Sequence, residues 1–257
     1  MIRTLFGTAF VGVAVIAGLS PVWADRLEGI DAKSLALLRK VGTLYKDAKA
    51  VSADVAITGA IESDGQEKVE VKLQGAVAFQ RPNSLAIRTS NPTDPKAGVE
   101  VVSDGKELSM LLRRTNQYAQ RRAPEALFEL GRTILPLGQH TTGILFQNIL
   151  ADDPADQLLE GVTEGKFTGT VKVGDKEAHH MVFKQPSLDW ELWVAAEGQP
   201  FVLKMKGDLE LPNGKITTSE TYTNWKLNPE LEKDRFAFKA PAGARKVERL
   251  GRAGDDD

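Results

Sequence analysis

The sequence predicts a mainly β protein with some α: one strongly curved antiparallel sheet or partly open barrel, with a leading helix and a central helical insertion. Three observations carry this. First, Phe201, Leu203, Met205, Leu209 and Leu211 alternate with Lys204, Lys206, Asp208 and Glu210, the period-two pattern of a strand with one face buried and one wet. Pro212-Asn213-Gly214 follows, and Asn-Gly supplies the positive φ of a tight hairpin turn; the Thr-rich return from Lys215 to Trp225 suits a pleated surface. Second, Asp64-Gly65, Asp104-Gly105, Gly174-Asp175 and Asn213-Gly214 each fall between alternating runs, which predicts a meander. Strands of this length favour a curved sheet or open barrel over a sandwich. Third, alternation stops between Pro124 and Gly161, where the mature chain is most apolar.

In chain order, Arg3, the uncharged apolar run Leu5 to Leu19 and the small residue Ala24 predict a secretory signal peptide over 1–24. A retained anchor is the competing reading, but the run is short for a span of about 20 residues. Residues 25–250 then form a single domain. Asp31 is a helix cap, followed by Leu35, Leu38, Val41, Leu44 and Tyr45 at spacings of three and four, with Lys33, Arg39, Lys40 and Lys46 off the stripe. Strands follow over Val51 to Glu62 and through Val69, Val71, Leu73, Val77 and Phe79, with a break at Arg81-Pro82-Asn83. Leu85 and Ile87 mark a third strand, and the loop Asn91 to Lys96 with its two prolines is irregular. Gly98 to Ser103, Lys106 to Arg113 and Gln117 to Arg121 continue the meander. The insertion 124–161 breaks into helical pieces at Glu125 to Ile134, Gly143 to Leu150 and Pro154 to Leu159, with Pro136, Gly138 and Gly143 preventing one continuous helix. Strands resume at Lys166 to Val173, Lys176 to Lys184 and Asp189 to Ala195. The long hairpin and a short strand at Arg235 to Phe238 bring the set to eleven principal strands and a short one. Residues 251–257, ending in three aspartates, read as a disordered tail.

Composition excludes several functions. The formal charge of −2 becomes −3 without Arg3, which offers no field for nucleic acid. The absence of Cys removes disulfides, thiol catalysis and thiolate metal sites, and a domain of this size can rely on its core. His179 and His180 are adjacent on a strand and point to opposite faces, so no shared metal ion is expected, and no cofactor. The sequence has no nucleophile elbow, phosphate loop or dinucleotide fingerprint, and Asp152, Asp153 and Asp156 are explained as helix-start carboxylates. No enzymatic activity is expected.

A curved sheet needs its apolar inner face covered. The insertion is then either a permanently packed second layer or a lid over a cavity for an acyl chain. Alternation and composition nominate Val71, Leu73, Phe79, Ile87, Met110, Leu112, Phe128, Ile144, Leu145, Leu203 and Met205 as cavity residues. Arg113, Arg114, Arg121 and Arg122 bracket the strand around Tyr118 and are candidates for contact with anionic head groups, against the alternative of solvated strand ends.

Arg81-Pro82, Asp104-Gly105-Lys106, Asn116-Gln117-Tyr118, Asp189-Trp190-Glu191-Leu192-Trp193, Asn224-Trp225 and Phe236 to Ala244 resemble, in order and spacing, a family of predicted periplasmic proteins, domain of unknown function 2092. The likeness runs from Leu35 to Val247. That family in turn resembles the periplasmic lipoprotein carriers and their outer-membrane receptors (LolA/LolB-like). The resemblance implies an eleven-stranded unclosed antiparallel barrel covered by helices and a hydrophobic cavity for acyl chains; the signal peptide and the absence of Cys place the expected protein in the periplasm, with a lipid or acylated lipoprotein as partner and transient membrane contact. The receptors' lipidated Cys is absent here, and the carriers' cavity arginine is matched to no position. The other expectation is an interaction or sensor domain with a filled core that binds an envelope protein partner.

Overall fold

The computed structural model describes residues 28–134 and 148–250. The expected signal peptide and acidic tail, and the cavity candidates Ile144 and Leu145, lie outside these residues.

Helix α1 (Ala32–Asp47) starts where Asp31 accepts hydrogen bonds from the Ser34 amide at 2.8 Å and its hydroxyl at 3.0 Å. Its apolar stripe buries Leu37, Leu38, Val41, Leu44 and Tyr45. Its last turn is closed from outside: Arg81 donates through Nε to the Ala48 carbonyl and through Nη2 to that of Tyr45, at 3.2 and 3.3 Å. A helix end leaves such carbonyls without internal partners, so the Arg81-Pro82 pair read from the sequence as a strand break also serves as a helix cap.

The strands are β1 (Ala50–Ser63), β2 (Val69–Gln80), β3 (Ser84–Ser90), β4 (Gly98–Asp104), β5 (Glu107–Leu112), β6 (Gln117–Arg122), β7 (Glu164–Val173), β8 (Lys176–Lys184), β9 (Leu188–Ala195), β10 (Val202–Leu211), β11 (Gly214–Leu227) and β12 (Arg245–Lys246). They form one sheet in the order β12-β6-β5-β4-β3-β2-β1-β11-β10-β9-β8-β7. Two meanders are thus joined by the β1–β11 pair, all antiparallel except β12 on β6. The sheet does not close, because β7 and β12 stand at opposite ends of that order. Each edge is partly paired: Asp31 N–H donates to the Gly165 carbonyl and Gly165 N–H to that of Gly29, both at 2.9 Å, while β12 lies along β6. Covered edges resist pairing with other chains.

One face is the helix-covered inner face. Its apolar cluster gathers α1, Val55 and Ile57 of β1, Phe79 of β2, Ile87 of β3, Met110 of β5, Leu192 of β9 and Met205 of β10. Helix α2 (Leu127–Ile134) contributes Leu127, Leu130 and Ile134, and α3 (Pro154–Leu159) contributes Leu158. At Gly59 and Gly75 a Cβ would lie 2.3 Å from the Thr217 carbonyl oxygen and 1.8 Å from that of Arg88. Neighbouring backbones therefore crowd the inner face there, as they do where a sheet bends.

The outer face of β2 to β6 is crossed by the C-terminal segment, and here one expectation is corrected. Arg235 to Phe238 is not a strand; Lys233–Phe236 is a 3-10 turn, and the short twelfth strand is Arg245–Lys246. The apolar pair two residues apart meets the face of the sheet and not an edge: Phe236 packs on Ala78 and Ala86, and Phe238 lies 5.3 Å from the Tyr118 ring. Arg88 fixes this strap by donating to the carbonyls of Arg235 and Ala237 at 2.7 and 3.0 Å, and Glu100 accepts from the same guanidinium at 3.0 Å.

Candidate functional site

Directly opposed residues in antiparallel strands share a face, so the register sorts the inner face into rows running across the sheet. The outermost row reads Leu188, Leu209, Ile216, Ile61, Val69 over β9, β10, β11, β1 and β2. Val69 is 55% exposed, and the other four are half-buried. The second row is Trp190, Gly207, Thr218, Gly59, Val71, and the third is Leu192, Met205, Glu220, Ile57, Leu73. The fourth runs from Tyr222 through Val55, Gly75, Thr89 and Val99 to Leu112. Helix α1 begins at edge strand β7 and ends near β10 and β11, where the Tyr45 hydroxyl accepts from the Val202 amide and its ring lies 5.5 Å from that of Trp225. Burial raises the Tyr45 phenol well above its usual range, so it stays protonated.

The outermost row is thus a continuous apolar band about 19 Å across, taking four strand spacings of about 4.8 Å. Beneath it lies polar material that the sequence reading missed. Thr218, Glu220 and Tyr222 point inward from β11, and Glu220 has no exposed surface. The Tyr222 hydroxyl donates to Glu220 Oε2 at 2.7 Å, as burying a carboxylate requires. The signal was present as the Thr-x-Glu-x-Tyr alternation in the return strand of the hairpin, but Thr-rich alternation looks the same on a wet face.

The nominated cavity residues separate into groups. Val71, Leu73 and Met205 sit in the second and third rows, and Leu112 ends the fourth. Phe79, Ile87 and Met110 belong to the buried cluster farther from the exposed band. Leu203 is placed elsewhere: the β9–β10 register slips between Val202 and Lys204, and this bulge puts Leu203 with Ala178 and Trp193 in a separate cluster while Val202 and Met205 both face inward. Unbroken alternation had assigned Leu203 and Met205 to one face; one extra residue shifts the phase. Phe128 is half-buried with the Arg132 guanidinium 5.9 Å from its ring centre, whereas its neighbours Leu127 and Leu130 are buried in the cluster.

The four arginines do not form one rim. Arg113 and Arg114 precede β6, pairing with Glu100 at 3.3 Å and Asp94 at 3.6 Å. Arg121 and Arg122 end β6, where Arg121 donates to the Thr133 carbonyl at 3.2 Å and Arg122 lies 3.8 Å from Glu125. His179 and His180 point to opposite faces as expected. His179 lies 5.7 Å from the Phe167 ring, and burial, with Lys33 and Lys40 adding to it, lowers its pKa. His180 stacks on Trp193 at 4.4 Å and lies 2.8 Å from Glu191. Among the described residues no group of metal-ligating side chains is assembled, and no helix is long and apolar enough to cross a membrane.

A separate cleft of about 590 Å³ opens between α1 and the strand ends around 195–200, lined by Arg39, Lys40, Asp47, His179 and Pro200 among others. Among the described residues, none of the nominated cavity residues lines it.

Comparison with known proteins finds a family model, described as predicted periplasmic protein (DUF2092), that matches residues 34–250. An uncharacterized protein of Methanocaldococcus jannaschii is 27% identical over 209 residues, 81% of this chain; the chain spans about half (52%) of that relative's length. Among solved structures, the lipoprotein LppX of Mycobacterium tuberculosis is 18% identical, covering 79% of this chain and 100% of its own with a TM-score of 0.46. LprF of Mycobacterium bovis is 12% identical over 79% and 98% of the two chains, TM-score 0.43. A LolA superfamily protein of Nitrosomonas europaea is 13% identical over 80% and 97%, TM-score 0.36.

Proposed function

This chain belongs to the DUF2092 family of predicted periplasmic proteins, and from that premise we propose that it is a soluble periplasmic carrier or binding protein for a hydrophobic ligand, a lipid or a lipoprotein acyl chain. The ligand lies between the inner face of the sheet and helices α2 and α3, the described helices of the 124–161 insertion, which act as its cover. The observation that carries this reading is the outermost row, where Leu188, Leu209, Ile216, Ile61 and Val69 line up on five adjacent strands and remain partly open. Contiguous exposed apolar surface of this kind marks binding sites. Each methylene buried contributes about 0.8 kcal/mol, so an acyl chain laid across the band gains affinity without a specific polar contact. Val71, Leu73 and Met205 lie in the two rows directly inward of the band, Leu112 lies farther along the sheet on β5, and Phe79, Ile87 and Met110 would set the inner limit. Arg113, Arg114, Arg121 and Arg122 would meet anionic head groups only by exchanging their present partners, and the exposed Arg122 is the readiest to do so.

The test is native mass spectrometry on protein purified from the periplasm without detergent, followed by organic extraction, and uptake of an environment-sensitive apolar dye. Lipid-mass adducts that vanish on extraction are expected. The double variant Leu209→Glu, Ile216→Glu should lose dye uptake while keeping its thermal unfolding transition, because both side chains are only half-buried. A second reading draws on the closed packing of Phe79 and Ile87, which have no exposed surface: the interior is filled, and the outermost row docks an envelope protein. A single ligand-free mass with no dye uptake would favour that reading.

A further inference from the structure

We infer that the ligand carries a hydroxyl on its apolar chain and that Thr218 is the residue that binds it; this rests on the carrier reading above. Thr218 is only 4% exposed, yet its Oγ1 has no hydrogen-bond partner among the described residues. Buried hydroxyls almost always have one, and most strand threonines find it in water or a neighbouring side chain. Here the residues directly opposite on both sides are glycines, Gly59 on β1 and Gly207 on β10. No side chain therefore stands beside Thr218 along its row until Val71 and Trp190. Adjoining backbone explains why Gly59 tolerates no Cβ, and Thr218 lies one row inward from the apolar band.

Depth decides which part of a bound chain meets Oγ1. Two residues along a strand advance about 6.8 Å, so a chain entering over Ile216 reaches Thr218 within its first few carbons. A plain methylene there would leave Oγ1 unpaired, whereas a hydroxyl both donates and accepts, as Oγ1 does. One row farther in, Glu220 is already engaged by Tyr222, so of these two side chains on β11 Thr218 is the one left for the ligand. The class indicated is an acyl chain hydroxylated near its carboxyl end.

The experiment compares displacement of a bound apolar dye by tetradecanoic acid and by 3-hydroxytetradecanoic acid, in the wild type, Thr218→Val and Thr218→Ser. Valine keeps the shape and removes the hydroxyl. The wild type should prefer the hydroxy acid by about three- to tenfold, the range one hydrogen bond supplies. Thr218→Val should lose that preference while still binding the plain acid and unfolding at the same temperature or higher; Thr218→Ser should keep the preference. Equal affinities in the wild type, or a preference that survives in Thr218→Val, would overturn the inference while leaving the carrier reading intact. Failure of both acids and the dye to bind any variant would remove the carrier reading and this inference with it.

Discussion

Asp31 does two jobs with one carboxylate. It caps α1 through Ser34, and it accepts a hydrogen bond from the Phe167 amide on the edge strand β7. Burial opposes its charge, but these amide bonds outweigh it and hold the carboxyl below its ordinary value. A carboxylate with a depressed folded pKa stabilises the protein above its unfolded value and loses that contribution as pH falls through the folded one. Asp31→Ala should therefore lower the unfolding free energy by about 1 kcal/mol at neutral pH, with the difference from wild type shrinking below about pH 4; urea melts at pH 7 and pH 3 would show both. The cap was legible because it is local, Asp followed at once by a periodic apolar stripe. The bond to Phe167 was not, since it joins positions 136 apart in sequence. Glu220 shows the same limit more sharply, because nothing in a Thr-rich strand says which of its polar side chains is sealed from water.

Elements dock at points where the sequence supplied a small residue or a polar hook. Helix α3 meets α1 at Gly42, where a Cβ would come 2.5 Å from the Ala155 Cβ and 2.7 Å from its backbone nitrogen. Gly42→Val should separate the two helices and lower stability by about 1–3 kcal/mol, as overpacking does, measurable as a fall in melting temperature. The Lys46–Asp153 bridge beside it, at 2.8 Å, has side chains 52% and 42% exposed. Lys46→Ala should leave the melting temperature nearly unchanged, because exposed pairs are screened and entropically costly to hold. The C-terminal strap depends on Phe236, 5% exposed against Ala78 and Ala86. Phe236→Ala should cost about 3 kcal/mol if the strap unfolds together with the sheet. If the strap opens alone, faster hydrogen exchange confined to residues 229–247 is the expected signature. Helix α1 and the hairpins were readable because their periodicities are complete within one segment. The strap was misread as a strand because two phenylalanines in alternation look the same whether they face a sheet or join it.

Over the whole molecule, the two meanders share one sheet only because β1 and β11, far apart in sequence, pair with each other. That pairing brings Ile61 beside Ile216 and Gly59 beside Thr218, and so sets both the apolar band and the row beneath it. The family resemblance had implied the unclosed sheet with its helical cover, and the strand order agrees. The order of elements, the turn glycines, the absence of Cys and the apolar insertion were determined by the sequence alone, since each is fixed by spacings within about twenty residues or by composition. Which face each side chain takes was decided only by the tertiary structure. A single bulge at Leu203 reversed one assignment, and the rows that define the candidate site are assembled from strands whose neighbours are set by long-range pairing, which no local period records.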